Sequence, residues 1–210
     1  MGNVHSVDSN FRISPHYRAN DWRKLQLDAP DNPDWANAAE ILHDRLHGRF
    51  LAPVEALTNH TDSEIRSFSG FAILAIDCLL IETLYQFYNG IPETDIKNED
   101  AFWRFFESSP HFQPDFSEEV SRVFYRHVRC GILHQAQTKE SSKVKIGQPR
   151  IAEPVYSANV NRGLVIDRQR FHKALCCEID DYERGLKNPQ TQRDSERRKT
   201  LITKMRFIVT

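Results

Sequence analysis

The sequence carries almost no net charge. Its 28 lysines and arginines are matched by 29 aspartates and glutamates, so the formal net charge at pH 7 is −1. This balance excludes proteins that coat nucleic acid through bulk positive charge, because such binding requires an excess of cations over the whole surface. Any contact with RNA must therefore use a local basic patch.

Paired cysteines and a secretory signal are also lacking. None of Cys78, Cys130, Cys176 and Cys177 has the Cys-x-x-Cys spacing typical of zinc and redox sites. Cys78 lies in an apolar segment, where we expect it to pack as a small hydrophobic side chain. The polar N-terminus does not resemble a signal peptide. We therefore expect a reducing, cytoplasmic environment.

No long apolar segment is free of charge. The most apolar stretch, residues 62–90, has Asp77 and Glu82 near its middle. Each ionised side chain would cost several kcal/mol in lipid, so the sequence predicts the central helix of a soluble bundle and no membrane span. Thr61 or Asp62 is a suitable N-cap for this helix, and Asn89-Gly90 is a suitable C-terminal stop.

What the chain does contain is helical periodicity. With 210 residues, of which 40% are hydrophobic, it can bury one core. The apolar repeat predicts an all-α, antiparallel bundle over 34–186, with a small β-hairpin or loop excursion before the last helix. An N-terminal arm (1–33) precedes the bundle, and a charged tail (187–210) follows it, in which Phe207-Ile-Val could dock as a strand. We predict helices over 34–57, 62–90, 101–107, 116–138 and 167–186, and short strands near 143–146, 154–158 and 164–166.

The helix over 116–138 is the most informative segment. Ser117, followed by two glutamates, gives it a capped start. Projected at about 100° per residue, one face carries His127 and His134 among apolar side chains. The neighbouring face carries a stripe of three arginines: Arg122, Arg126 and Arg129.

Within this helix, Arg129-Cys-Gly-Ile-Leu-His134 has the form Arg, four residues, His. The segment resembles the Arg-x(4–6)-His signature of the HEPN superfamily, helical domains many of which are metal-independent ribonucleases. Arg122-Val-Phe-Tyr-Arg-His127 has the same spacing. We prefer the match that ends at His134, because it lies in the second half of a strongly amphipathic helix and contains a glycine.

This resemblance implies an RNA endonuclease without metal or cofactor, acting in a toxin–antitoxin or antiviral defence system. It assigns Arg129 to phosphate stabilisation and His134 to acid–base catalysis, giving 2′,3′-cyclic phosphate and 5′-hydroxyl ends. The implied partners are RNA, a second copy of the chain, and an antitoxin or other defence component. Because some HEPN domains are inactive, the alternative is a non-catalytic dimeric scaffold that binds RNA, nucleotide or a protein partner.

The spacing of Arg129 and His134 poses a geometric problem. Five positions turn through about 140° on a straight helix, so the two side chains of one chain cannot reach the same phosphate. Either the helix changes direction, which Gly131 allows at a low cost in free energy, or a second chain contributes one of the two side chains to the site. The resemblance implies the second arrangement as well, in which the motifs of two protomers face one cleft across a two-fold axis.

Further residues are predicted to support this pair. Asp77 and Glu82 need cationic partners inside a bundle, and either could orient Arg129 or His134; an ordinary buried ion pair is the alternative. Arg126 and His127 are predicted helpers. The basic side chains predicted to contact RNA are Arg122, Lys139, Lys143 and Lys145, with a solvated loop as the alternative for the lysines.

A rival metal site lies in the first long helix. Glu40, His43 and His47 share one helical face, and Glu-x-x-His and His-x-x-x-His occur in di-iron and zinc sites respectively. A di-iron bundle needs a second Glu-x-x-His, which the sequence lacks, and Asp44 replaces the glutamate of the zinc-protease motif. We therefore predict no metal, and a solvated pair of histidines is the simpler interpretation.

Overall fold

A computed structural model describes residues 9–210, and this part of the chain folds into eight helices and one small sheet. The mainly helical fold class is thereby confirmed. The predicted arm begins in residues 1–8, which lie outside the described residues. The helices are α1 (Ala19–Arg23), α2 (34–58), α3 (Ser63–Phe68), α4 (Gly70–Asn89), α5 (Asn98–Ser108), α6 (118–135), α7 (Arg168–Lys187) and α8 (Gln192–Val209).

Two of these helices contain a π-helical turn. Helix α2 consists of Asp34–Leu46, the π turn His47–Leu51 and Ala52–Thr58. Helix α6 consists of Glu118–Val123, the π turn Phe124–Arg129 and Cys130–Gln135. A π turn widens the helix locally and is often found at functional sites. Pro53 does not end α2, because it stands in the first turn after the π turn, where a missing N–H costs little.

Helix boundaries follow local capping chemistry. The side chains of Asp62, Ser117 and Asp167 accept hydrogen bonds from backbone N–H groups of the helices that they precede. Gly90 adopts a left-handed conformation with φ of 63° and ends α4, as its position predicts.

The segment over 62–90 is nevertheless not one helix. It is interrupted at Ser69, where the Arg168 guanidinium donates hydrogen bonds to the Arg66 carbonyl and the Ser69 hydroxyl. These contacts separate α3 from α4.

The core is centred on phenylalanine rings from five segments, namely α4, α5, the connection between α5 and α6, α6 and α7. Phe102 and Phe106 of α5 contact Phe124 of α6, and Phe124 stacks on Phe171 of α7 with a centroid distance of 5.0 Å. Aromatic pairs of this kind add to the hydrophobic gain from burial. The rings at 0–2% exposure are Phe87, Phe102, Phe105, Phe106, Phe112, Phe116, Phe124 and Phe171. Phe102, Phe105 and Phe106 of α5 therefore form core contacts, and no base could stack on these buried rings.

The sheet has three strands: β1 (Lys143–Lys145), β2 (Ala152–Ser157) and β3 (Val160–Asp167). Strand β3 lies in the middle, antiparallel to β2 and parallel to β1. The β2–β3 hairpin leads directly into α7 through the cap at Asp167. Because α8 follows α7, the hairpin does not precede the last helix as the sequence analysis predicts.

Residues 187–210 contain α8 rather than a solvated tail or a closing strand. This helix packs against α1, α4 and α7, and its apolar side chains Leu201, Met205 and Val209 are buried. Three of its cations are buried too, because each of the three has a partner. The Arg197 guanidinium contacts Glu178 and the Tyr88 ring, Arg198 lies over the Trp35 ring, and the Lys204 ammonium donates to Gln86 and the Pro92 carbonyl.

Helix α4 is long and apolar enough to cross a membrane, but 56% of its most apolar window is buried inside the protein. It packs against α5, α6, α7 and α8. These contacts identify α4 as the core helix of the bundle.

A matched pair of truncations tests the docking of α8. Met205 is 1% exposed, whereas Phe207, on the same helix, is 53% exposed. Met205→Ala is expected to lower the free energy of unfolding by about 2–5 kcal/mol, because it leaves a cavity. Phe207→Ala is expected to change it by less than about 0.5 kcal/mol. Urea denaturation monitored by circular dichroism measures both values, and equal effects would contradict the packing of α8.

Candidate functional site

Arg129 lies at the junction of α6 and α4. Its Nη2 donates to Glu82 Oε2 at 3.3 Å, and its guanidinium carbon lies 5.3 Å from the centre of the Tyr125 ring. The side chains of Arg129 and Glu82 are 16% and 25% exposed, so the pair is shielded but reachable from solvent. Both residues line a cleft of about 340 Å³ between the two helices, together with Leu79 and Leu133. We call this the α4–α6 cleft.

His134 lies near the C-terminal end of α6 and is exposed. Within residues 9–210, its side chain forms neither a hydrogen bond nor an ion pair. The segment Cys130–Gln135 is regular α-helix, and the π turn Phe124–Arg129 lies before it. The angle of about 140° between Arg129 and His134 therefore persists. One chain does not aim both side chains at one point.

Gly131 has a different role from the one predicted. The chain reverses at Ala136, whose φ is 52°, and passes back over α6. The Lys139 N–H donates to the His127 carbonyl at 2.9 Å. A Cβ atom on Gly131 would lie 2.5 Å from the Gln137 carbonyl oxygen, which is too close. Gly131 is thus required for the close passage of the returning chain, and not for a bend between Arg129 and His134.

The first half of the arginine stripe faces carboxylates. Arg122 contacts Glu118 at 2.9 Å and Asp100 at 3.0 Å, and Arg126 Nε lies 3.4 Å from Glu99. These ion pairs join the start of α6 to α5 and occupy both guanidinium groups. RNA would have to compete with the carboxylates for Arg122.

His127 is half-buried beneath the returning chain. Its Nδ1 is buried and has no hydrogen-bond partner among the described residues. Burial, assisted by the nearby cations Arg126 and Lys139, lowers the pKa of His127. In the pair Arg122 and His127, which also has the four-residue spacing, the histidine is therefore less accessible than His134.

The predicted RNA-contacting lysines lie after α6. Lys143 and Lys145 are exposed on β1, where alternation places both on one face of the strand. Lys139 is half-buried at the turn that follows α6. None of the three ammonium groups forms an ion pair with a described residue. They are the first three lysines after His134 in the sequence.

Asp77 does not contact Arg129 or His134. It lies on another side of α4, fully buried, and its Oδ1 accepts from His172 Nδ1 of α7 at 2.8 Å. The other ring nitrogen of His172, Nε2, lies 3.4 Å from Cys176 Sγ. Asp77, His172 and Cys176 thus form a continuous chain of contacts that the sequence analysis missed. The available signal was the i, i+4 spacing of His172 and Cys176, but nothing local relates them to Asp77.

The ionisation of this group follows from its burial. Burial raises the pKa of Asp77, and Asp77 Oδ2 is buried without a hydrogen-bond partner among the described residues. Burial opposes the charge of His172 as well, but the hydrogen bonds to Asp77 and Cys176 raise its pKa to about 10. His172 is therefore an imidazolium at neutral pH, held by a carboxylate that has no other partner in this part of the chain.

The two histidines of the rival metal site are engaged in protein contacts. His43 Nδ1 lies 3.0 Å from Glu183 Oε2, and the His43 and His47 rings stack with a centroid distance of 5.2 Å. Glu40 is exposed. Residues 9–210 contain no group of three His, Cys, Asp or Glu side chains arranged to hold a metal ion.

No protein-family model, curated protein or solved structure matches this chain. Its function therefore has to be inferred from the residues that line its clefts.

Substitution of Gly131 tests the close passage of the returning chain. Alanine normally stabilises a helix interior relative to glycine by about 0.5–1 kcal/mol. Here we expect Gly131→Ala to destabilise the protein by about 1–3 kcal/mol, because the added methyl group overlaps the Gln137 carbonyl. Urea denaturation gives the sign, and Cys130→Ala on the same turn is the control. A more stable Gly131→Ala variant would contradict the contact.

The pairing of His172 and Asp77 predicts an unusual titration. By NMR, the His172 ring is expected to lose its proton at about pH 10. Asp77→Asn removes the negative charge that stabilises the imidazolium, so the midpoint should fall by about 1–3 pH units. His172→Gln identifies the resonance by its disappearance. A wild-type midpoint near the ordinary value of about 6.5 would contradict the ion pair.

Proposed function

We propose that this protein is a metal-independent RNA endonuclease of HEPN type, active as a homodimer, in a toxin or antiviral defence context. The observation that carries the proposal is the α4–α6 cleft, which presents the Arg129 guanidinium to solvent beside two exposed leucines. His134 is exposed and uncommitted on the same helix.

The proposed dimer contact is the surface around this cleft. Leu79 and Leu133 are 47% and 50% exposed and line the cleft with Arg129. Exposed apolar side chains beside a polar site are typical of interaction surfaces. A two-fold contact here would cover both leucines and bring Arg129 of one protomer toward the His134 of the other. Such a pairing would let Arg129 and His134 act on one phosphate although about 140° separates the two side chains within one chain.

Arg129 and Glu82 of the cleft, together with His134 and two lysines of β1, each have a chemical role in this proposal. A neutral His134 takes the proton from the ribose 2′-hydroxyl, or a protonated one gives a proton to the leaving 5′-oxygen. Arg129 stabilises the negative charge that develops on the phosphorus-bound oxygens. Glu82 holds the Arg129 guanidinium in position through the 3.3 Å contact. Lys143 and Lys145, on the exposed face of β1, attract the RNA backbone.

Cleavage of RNA in excess EDTA tests the activity. Wild-type protein should give fragments with 2′,3′-cyclic phosphate and 5′-hydroxyl ends. Arg129→Ala and His134→Ala should each lower the rate by about 100-fold or more, since acid–base and charge stabilisation supply effects of that size. Arg206→Ala and Gln135→Ala, which change exposed side chains, are the matched controls. Cleavage that EDTA abolishes, or that survives His134→Ala, would contradict the proposal.

Mixing the two inactive variants tests the composite site. A heterodimer of Arg129→Ala and His134→Ala protomers retains one Arg129 and one His134 on opposite chains, so activity should return. If both side chains had to come from one protomer, the mixture would stay inactive. The double variant Leu79→Glu with Leu133→Glu should be a monomer by light scattering and should not cleave RNA. Val160→Glu, which also changes an exposed apolar position, should remain dimeric and active.

The second candidate is a non-catalytic dimeric scaffold that binds RNA, nucleotide or protein. The Arg129–Glu82 ion pair favours it, because a guanidinium engaged by a carboxylate already has a structural role. A wild-type dimer that cleaves no RNA, and that Leu79→Glu with Leu133→Glu dissociates, would support this candidate.

A further inference from the structure

A second cleft lies on the α7 side of α4, away from the α4–α6 cleft. It has a volume of about 330 Å³ and is lined by His172, Cys176, Gln169 and Lys173 of α7, with Ile73 of α4 and Thr58 of α2. We call it the thiol cleft. Cys176 and His172 both reach it, so the chain of contacts from Asp77 ends at a surface that small molecules can enter.

The order of atoms in this chain is that of a nucleophilic triad. Asp77 Oδ1 contacts His172 Nδ1 at 2.8 Å, and His172 Nε2 faces Cys176 Sγ at 3.4 Å. A carboxylate on one ring nitrogen fixes the orientation of the imidazole, and the other nitrogen can exchange a proton with the nucleophile. Cys176 is thus the acting group, and Asp77 is a positioning residue because it is 0% exposed.

A larger groove continues from the thiol cleft. Thr58, Arg168 and Gln169 line both spaces, and the second space has a volume of about 460 Å³. Its walls include three apolar side chains, those of Phe68, Phe71 and Ile146. Phe68 is 82% exposed and Ile146 is 53% exposed. An apolar chain attached to a group at Cys176 could therefore extend past Arg168 and cover these side chains.

We propose that Cys176 is a nucleophilic thiol that takes the acyl group of a thioester, with the apolar acyl chain in the adjoining groove. In the reactive pair the thiol proton lies on His172 Nε2, so that His172 is the imidazolium and Cys176 the thiolate, and Cys176 Sγ forms a bond to the carbonyl carbon. The bond from that carbon to the sulfur of the incoming thioester breaks, and the leaving thiolate takes the proton from His172. The products are S-acyl Cys176 and a free thiol, so the reaction needs no oxidant or metal.

Two side chains of the thiol cleft can assist the attack. Gln169 and Lys173 are one turn apart on the exposed face of α7, and neither side chain has a hydrogen-bond partner among the described residues. Their N–H groups can donate to the carbonyl oxygen as it gains negative charge. The other charged groups of the cleft are Glu55 and Arg168.

Cys177 is a natural internal control, because it is adjacent in sequence and partly exposed but does not contact His172. The experiment treats the full chain with the octanoyl thioester of N-acetylcysteamine and maps the acylated peptide by mass spectrometry. Acylation should occur in the wild type and in Cys177→Ser, and be absent in Cys176→Ser. His172→Gln should slow it by about 100-fold. The acetyl thioester should react more slowly than the octanoyl thioester, because it leaves the groove empty.

Alkylation by iodoacetamide separates activation from a merely structural role. In Cys177→Ser, the rate at Cys176 should change little between pH 6 and 8, whereas an ordinary thiol gains about tenfold per pH unit in this range. Asp77→Asn and His172→Gln should restore the ordinary dependence, and circular dichroism checks that both fold. The proposal is overturned if Cys176 and Cys177 react equally, if no octanoyl group is transferred, or if His172→Gln leaves the acylation rate unchanged.

Discussion

Helix α4 carries two carboxylates that face different neighbours, and both candidate sites depend on them. Asp77 holds His172 of α7 at 2.8 Å, and Glu82 holds Arg129 of α6 at 3.3 Å. Their five-residue spacing separates them by about 140° around the helix. Because an unpaired charge in the interior is costly, these contacts fix the rotation of α4 relative to both neighbours. The same rotation places one cleft on each side of α4.

Features set by local chemistry could be predicted from the sequence. Caps at Asp62, Ser117 and Asp167 act on N–H groups a few residues away, and Gly90 ends α4 because it adopts a positive φ at no steric cost. The dense aromatic residues of α5 also predict core contacts. The presence of Arg129 and His134 on one helix follows from the amphipathic pattern alone. These inferences needed only neighbouring residues.

Features set by contacts between distant segments could not be predicted in this way. Asp77 and His172 are 95 positions apart, so no spacing relates them. The π turn Phe124–Arg129 inserts an extra residue into a turn that still looks helical by period. The role of Gly131 depends on where the chain goes after Ala136. Helix α8 was not predicted because its composition is highly charged, whereas Arg197, Arg198 and Lys204 contact aromatic rings, carbonyls and Glu178 inside the fold.

The burial of the α8 cations affects how a basic-residue scan of this protein should be interpreted. Arg197 and Arg198 are 6% and 5% exposed, so polyanions cannot reach them directly. Arg198 donates to the carbonyl of Leu186, and reversing its charge would remove this donor from a buried acceptor. Charge reversal at Arg197, Arg198 or Lys204 would therefore lower the binding of any ligand by loosening the helix. Loss of affinity at these three positions would report folding, and an electrostatic footprint would have to be mapped on exposed cations such as Lys143 and Lys145 of β1.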